Sequence, residues 1–536
     1  LGAMNPAGMP LLSVEALDVS FEQTSIVRDL WFGVGSGEIL GLVGASGSGK
    51  SMTALALMQL LPAQTRMQGS VRLQGVELVG LSPQALRNIR GRSIGMVFQE
   101  PMSALNPTMP IGDQVAETVL LHGAATPARA MLMAREALDA VGLTGPQGAL
   151  ERYPHELSGG QRQRVAIAIA IVLNPALLIA DEPTTALDVS TQAQVLSLLE
   201  SLARSRRMGL ILVSHDLAVI GQLTDRIAVM QAGRIVEQGV THDTLRNLQH
   251  PYSKALLAAA VPAGKRHPRE AADTAAVLVV TGIVREYPLR RRSPWRAAGV
   301  FRAVDEASLA VHAGETVGLV GESGSGKSSL LRAILCVERS QAGDVRLMGE
   351  SLSRATGNGE RRLRRAMQAV FQDPYQSFDP RWSVEQLVAE PFHLLDVRPG
   401  RAERRRKVAA VLEQVGLSAA DGARHPREFS GGQRQRIAIA RALVTEPAVV
   451  VLDEAVSALD VLVRAQILDL LAALSERLQL AYLFVTHDLG VVRAIADRVY
   501  VMQRGRIVEQ GPTQRVFMAP EHAYTRMLLA AMPRLA

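Results

Sequence analysis

Two stretches of this chain have residue types and spacing that suit binding of a polyphosphate. Gly44-Ala45-Ser46-Gly47-Ser48-Gly49-Lys50-Ser51 and Gly321-Glu322-Ser323-Gly324-Ser325-Gly326-Lys327-Ser328 share the pattern Gly-x-x-x-x-Gly-Lys-Ser. In such a loop, backbone N–H groups and the positive end of the following helix wrap a β-phosphate. A lysine reaches the β- and γ-oxygens, and a serine hydroxyl binds Mg²⁺. Gly44, Ser46, Gly47, Gly49 and Lys50 are therefore expected at the phosphates of one nucleotide, with Ser51 at the metal. Gly321, Ser323, Gly324, Gly326 and Lys327 are expected at those of a second, with Ser328 at the metal.

Two further patterns recur downstream. Leu177-Leu178-Ile179-Ala180-Asp181-Glu182 and Val449-Val450-Val451-Leu452-Asp453-Glu454 read as buried strands ending in paired carboxylates. Alternation along a strand would send adjacent acids in different directions, one to a metal and one to an attacking water. Asp181 and Asp453 are assigned to Mg²⁺, and Glu182 and Glu454 to general base. Ser158-Gly159-Gly160-Gln161 and Ser430-Gly431-Gly432-Gln433 each precede a helical run, 162–173 and 434–444. Alone, Ser-Gly-Gly is a helix cap. About twenty residues before the acids, and twice, it offers a hydroxyl, close amides and a helix dipole to a γ-phosphate.

These groups need elements to hold them. Each half opens on a β-like stretch, 12–21 or 277–287, followed by a Gly-Glu pair and an apolar strand running into the phosphate loop. Apolar helices at 53–61 and 329–335 come next. Strand, glycine loop and helix form the context that makes the pattern a phosphate site. The motifs recur in one order, offset by 277 at the lysines and by 272 at the signature serines, so the chain is an internal duplication. Residues 1–10 are expected to be a tail or vector-derived scar. The halves are placed at 11–262 and 277–536, with a breaker-rich linker at 263–276. A flexible link of that length holds the halves at about millimolar effective concentration.

Composition narrows the class. A chain of 536 residues, 48% hydrophobic and 20% charged, is an ordinary multidomain globular protein. Its one cysteine, Cys336, excludes an internal disulfide framework and is expected to be an inert thiol in an apolar helix. No apolar run approaches the length of a membrane span. A net charge of +7 permits an anionic partner without demanding one.

On these residues the chain resembles the ATP-binding-cassette ATPases over nearly its whole length. The resemblance extends to Gln99 in Val97-Phe98-Gln99-Glu100-Pro101 and Gln372 in Val370-Phe371-Gln372-Asp373-Pro374. It also covers Ala186-Leu187-Asp188 and Ala458-Leu459-Asp460, and the histidines His215 and His487. It implies an α/β fold of two tandem P-loop cassettes, each with an antiparallel β portion and a helical portion carrying the signature. It further implies two ATP sites, with Gln99 and Gln372 near nucleotide and metal and with histidines at the γ-phosphates. Ser430, Gly432 and Gln433 would complete the first site, and Ser158, Gly160 and Gln161 the second. Phe21 and Tyr287 stand where an aromatic stacks on adenine, or else serve as strand core aromatics.

Two branches of the family fit: the motor of an importer docked on separate membrane subunits, and a soluble paired-cassette ATPase acting on ribosomes. The short, Pro- and Gly-containing linker weighs against ribosomes. Similar tails, His250-Pro251-Tyr252-Ser253-Lys254-Ala255-Leu256-Leu257 and His522-Ala523-Tyr524-Thr525-Arg526-Met527-Leu528-Leu529, resemble those of the oligopeptide, dipeptide and nickel importers in fused form. That reading implies two membrane permeases, an extracytoplasmic solute-binding protein and a place on the cytoplasmic face of the membrane, with no nucleic acid. Peptides come first as solute, then nickel, glutathione or opines. Some relatives carry iron–sulfur cysteines after a cassette; none stands in the inter-cassette region from Val261, and no cluster is expected. Arg290-Arg291-Arg292 and Arg404-Arg405-Arg406-Lys407 could face anionic lipid or be solvated faces. Three departures are Ala455 opposite Pro183, which would relax a turn, Phe429 opposite Leu157, and Ile171 opposite Arg441.

Overall fold

The runs Ile39–Val43, Leu177–Asp181 and Gly209–Ser214 lack polar alternation, so they can be strands only where both faces are covered. The computed structural model describes residues 10–100, 104–143, 150–185, 187–260, 275–289, 299–373 and 377–532. In it these runs are neighbouring parallel strands, buried throughout. The chain forms two compact units that divide between residues 261 and 262. Residues 1–9, Pro101–Ser103, Ala186, the linker over 263–274, Arg290–Arg292 and Pro374 lie outside the described residues.

In the first unit a six-stranded sheet runs Arg234–Val240, Arg226–Gln231, Ile39–Val43, Gly209–Ser214, Leu177–Asp181, Ile94–Val97. All pairs are parallel except the edge strand Arg234–Val240. A four-stranded antiparallel sheet, ordered Thr24–Val34, Leu12–Phe21, Thr65–Leu73, Val76–Glu77, shares its core with Leu40, Leu42, Ala54 and Leu57. Helices Ile111–Leu121, Pro127–Ala140 and Gly159–Ile171 pack on one another as the helical portion.

The second unit repeats the design. Its six strands run Met367–Val370, Val449–Asp453, Ala481–Thr486, Thr316–Val320, Arg498–Gln503, Arg506–Pro512. Its antiparallel sheet runs Val300–His312, Ala276–Pro288, Ala342–Leu347, Glu350–Ser351. Parallel strands carry all their carboxyl ends to one edge, where an open α/β sheet places its ligands. On that edge the P-loop follows Val43, Glu182 follows Asp181, His215 follows Ser214, and Gln99 lies two residues beyond Val97. The second sheet brings Gly321, Glu454, His487 and Gln372 to the equivalent edge.

Several boundaries differ from those expected. The helix placed at 53–61 is Lys50–Leu57: it starts early because left-handed Gly49 caps it, and Gln59 at φ 54° turns the chain away. Likewise 329–335 is Lys327–Ile334. The signature helices begin at Gly159 and Gly431, because Ser158 and Ser430 already act as N-caps. Cys336 lies beyond its helix, partly buried at φ 50°, with burial pushing its thiol up. The second antiparallel sheet opens at Ala276, inside the expected linker.

Phe484 is fully buried in the strand that delivers His487, among Leu452, Ile467 and Leu471. Phe484→Ala is expected to cost the second unit about 3–5 kcal/mol, read as a lower urea midpoint for its unfolding. An unchanged midpoint would mean that this core does not hold the strand.

Candidate functional site

Each P-loop is a glycine loop because side chains would collide with the neighbouring strand. A Cβ on Gly44 would strike the Met230 carbonyl oxygen, and one on Gly321 that of Met502. Gly49 and Gly326, at φ 104° and 107°, turn the chain into the helix that starts at the lysine. Lys50 Nζ bonds the carbonyl oxygens of Gly44 at 2.8 Å and Ala45 at 3.0 Å; Lys327 bonds those of Gly321 at 2.7 Å and Glu322 at 2.9 Å. Ser46, Gly47, Ser323 and Gly324 are exposed at the loop tips. Ser48 and Ser325 are buried in the loops with unpartnered hydroxyls.

The adjacent acids are separated by a turn, not by strand alternation as the sequence suggested. Each strand ends at its Asp, and the next residue is left-handed: φ is 45° at Glu182 and 46° at Glu454. Glutamate adopts that conformation only where its surroundings impose it. Here the amides of Glu182 and Glu454 are tied to the carbonyls of Val213 at 3.0 Å and Val485 at 2.8 Å on the neighbouring strands. Ala455 does not relax this turn, since φ and the amide bond match those of the half that carries Pro183.

The turn gives the two acids opposite environments. Burial, with the charge of Glu182 beside it, pushes the Asp181 carboxyl up even though Ser51 donates to it. Burial and the Glu454 charge push Asp453 up to about 6. At Glu182 burial works in the same sense, but His215, Lys50 and Thr185 outweigh it and hold the carboxyl below its ordinary value. His487 and Lys327 do the same for Glu454. Oε2 of Glu182 meets His215 Nδ1 at 3.3 Å, Gln99 Nε2 at 3.1 Å and Thr185 Oγ1 at 3.1 Å. Oε1 of Glu454 meets His487 Nδ1 at 3.0 Å. Gln372 is exposed and, among the described residues, makes no bond to Glu454. Ser457, at the place of Thr185, donates to the Glu454 main-chain oxygen at 2.9 Å.

Ser51 Oγ lies 3.3 Å from Asp181 Oδ1, so a hydroxyl and a desolvated carboxylate already stand together. Hard oxygen donors beside a phosphate loop fit Mg²⁺, which takes one or two protein ligands and completes its shell from phosphate and water. The residues that would hold it are Ser51 and Asp181, and Ser328 and Asp453 in the second unit. Among the described residues, no group of three or more His, Cys, Asp or Glu is placed to hold a metal ion.

The signature segments are reciprocal capping boxes. Ser158 Oγ accepts from the Gln161 amide at 3.3 Å, and Gln161 Oε1 from the Ser158 amide at 3.1 Å; Ser430 and Gln433 do likewise at 3.4 Å and 3.0 Å. A Cβ on Gly160 would collide with Thr191, and one on Gly432 with Val463, so these glycines permit close approach of the next helix. That helix is capped by Asp188 or Asp460.

Of the two aromatics, Tyr287 donates its hydroxyl to Glu338 at 2.7 Å and lies 3.5 Å from Ser329 Oγ on the P-loop helix, with Arg285 over one ring face at 4.5 Å. Phe21 is half-buried at the end of its strand. Sequence reasoning missed Thr185 and the tail tyrosines. Tyr252 and Tyr524 accept hydrogen bonds from the P-loop amides of Ala45 and Glu322. The recurrence of a tyrosine at one place in both tails was the available signal.

The family described as ABC transporter matches residues 27–185 and 304–457. The chain belongs to it. A second family, the C-terminal region of oligopeptide/dipeptide transporters, matches residues 236–277 and 508–536, so each cassette carries that tail. Glutathione import ATP-binding protein GsiA of Escherichia coli (strain K12) is 44% identical over 98% of this chain and 89% of its own length. Its counterpart in Salmonella typhimurium is 43% identical over the same shares. Among solved structures, the archaeal ribosome recycling factor aABCE1, in complex with ribosomal stalk protein aP1, covers 95% of this chain and 92% of its own. Its TM-score is 0.60 at 20% identity, a likeness of fold. The chain is an ATP-binding and ATP-hydrolysing subunit of an ABC transporter, built as two fused cassettes.

Thr185→Val removes one of three groups on the Glu182 carboxylate. It is expected to lower kcat for ATP about two- to tenfold with KM unchanged, whereas Ser457→Ala leaves kcat within twofold. Steady-state ATPase assays decide, and equal effects of the two variants would contradict the asymmetry.

Proposed function

We propose that this chain is the motor of an importer for peptide-like solutes of the glutathione class, acting from the cytoplasmic face of the membrane on two separate permease subunits. The observation that carries this reading is the 44% identity to a glutathione import ATP-binding protein across 98% of the chain. The oligopeptide/dipeptide tail behind each cassette supports it. Among the described residues no helix is long and apolar enough to cross a membrane, which agrees with permeases on other chains. An extracytoplasmic binding protein would select the solute, and nickel or opines remain the alternative cargoes. Of the basic cluster at 404–407, Arg404 and Arg405 pair with Glu385 and Lys407 with Glu403, which favours a solvated face over a lipid contact.

In this reading Lys50 and Lys327 steady the β- and γ-phosphates, and the loop amides cradle them. Glu182 and Glu454, held ionised by His215 and His487, each take a proton from the attacking water. Magnesium, when bound, neutralises charge that develops on the phosphate oxygens. The signature groups Ser158, Gly160 and Gln161, and Ser430, Gly432 and Gln433, are offered to γ-phosphates. The exposure of Ser158 and Ser430 agrees with such a role. Phe21 and Tyr287 stack on adenine. Gln99, bonded to Glu182, relays the state of the site toward the permeases.

Glu182→Gln is expected to lower turnover at the first site about 10²–10⁴-fold, and unchanged turnover would exclude it as the base. Gln99→Ala is expected to reduce solute uptake severely while ATP affinity stays within twofold; loss of affinity with uptake intact would refute a coupling role. Uptake of labelled glutathione by cells carrying the cognate permeases, with and without Glu182→Gln and Glu454→Gln, tests the importer itself. Co-purification with ribosomal proteins and no permease would move the chain to the ribosome-acting branch.

A further inference from the structure

The tail of each cassette returns to its own P-loop by the same chain of bonds. In the first, the Glu237 carboxylate accepts the amides of Gln249 at 2.7 Å and His250 at 3.3 Å. His250 Nδ1 accepts the Tyr252 amide at 3.2 Å, and the Tyr252 hydroxyl accepts the Ala45 amide at 2.7 Å. In the second, Glu509 accepts the amides of Glu521 at 2.8 Å and His522 at 3.0 Å. His522 Nδ1 accepts the Tyr524 amide at 3.1 Å, and the Tyr524 hydroxyl accepts the Glu322 amide at 2.9 Å. Two units that differ at Pro183 and Ala455, Thr185 and Ser457, and Ile169 and Arg441 keep this arrangement bond for bond.

The amide that the tyrosine takes belongs to the residue whose carbonyl holds the P-loop lysine. Ala45 is thus gripped at its N–H by the tail and at its C=O by Lys50, and Glu322 by Tyr524 and Lys327. A partly buried amide needs an acceptor, and the one it finds lies about 200 residues away in sequence, on the tail helix Pro251–Ala260 or Ala523–Ala530. The second tail helix is well anchored. Tyr524 and Leu528 share a core with Val320, the last residue before the P-loop, and with Leu489 and Val492 of the helix that follows His487.

We propose that Tyr252 and Tyr524 are positioning residues for nucleotide: each hydroxyl fixes the second residue of its P-loop and so sets the affinity of that loop for ATP. The inference rests on ATP binding alone and stands whether or not the solute reading holds. A loop whose amides are already aimed binds phosphate without the cost of ordering them. Removing the hydroxyl frees the Ala45 or Glu322 peptide and loosens the grip on the lysine.

The test titrates the full chain with a fluorescent ATP analogue. Tyr252→Phe/Tyr524→Phe, which keeps both rings in their packing, is expected to raise Kd about two- to tenfold with Tm within about 2 °C of the parent. Each single variant should weaken one of two resolvable sites. Leu256→Ala, which loosens the first tail without touching a hydroxyl, is expected to lower Tm and leave Kd within twofold. An unchanged Kd in the double Phe variant overturns the proposal, as does an equal rise in Leu256→Ala.

Discussion

Two neighbouring carboxylates in a partly buried cleft repel each other, and each cassette is arranged around a solution to that repulsion. Were Asp181 and Glu182 in like surroundings, both would be driven toward the neutral acid and neither could do its work. The left-handed turn at the glutamate separates them at the cost of backbone strain. Asp181 stays on the strand end under Ser51, where a cation would offset its burial. Glu182 swings to His215, Gln99 and Thr185, and His215, Lys50 and Thr185 keep it charged. The strand bonds of Val213 and Val485 to the glutamate amides hold this geometry, so a buried parallel sheet is required for the chemistry at its edge.

Duplication followed by divergence shows which parts of this solution are indispensable. The left-handed glutamate, the glutamate–histidine bond, the lysine on the P-loop carbonyls and the capping boxes occur in both units. The periphery varies. Phe429 fills the place of Leu157 and carries Arg424 over its ring at 4.3 Å. Arg441 stands opposite the partly buried Ile169, not Ile171 as the sequence comparison placed it, since the signature helices Gly159–Ile171 and Gly431–Leu443 align end to end; it reaches Ser377 at 3.1 Å and Glu390 at 3.5 Å. Arg464 pairs with Asp488, the cap of the helix after His487, at 2.9 Å. These contacts change how helices of the second unit are held to their surroundings and leave its glutamate and lysine in place.

What could be read from the sequence was whatever is encoded locally. The P-loops, the acid pairs, the strand at 12–21 and the capping serines are contiguous patterns with one physical solution each. Long-range contacts were not legible. Gly160 was assigned to phosphate for its amide, yet its missing Cβ also lets Thr191 approach, a contact between two helices that a strand separates in sequence. Thr185 belongs to none of the recurring motifs, and its place on Glu182 depends on the turn that folds it back. Strand alternation is not what separates the acids, because the left-handed residue that does so at the strand end is announced by no periodicity. Cys336 was placed in a helix because its neighbours are apolar, but the helix had already ended at Ile334.

The tails show the same limit at greater range and point to a division within each cassette. Elements that must not move are buried outright: the strands Ile39–Val43 and Thr316–Val320 have no exposed residue. Groups that must meet a ligand or another surface, such as Ser46, Gln99 and Ser158, are exposed. Between the two lies the P-loop peptide, irregular backbone that neither sheet nor helix hydrogen-bonds at Ala45 or Glu322. Beyond the turn bonds that Ser48 and Ser325 donate to these carbonyls, such backbone is held by the side chains that reach it, so its shape depends on distant parts of the chain. Tyr252 and Tyr524 supply that hold from an element outside the catalytic motifs, which makes the most local of the motifs dependent on the most remote segment of its cassette.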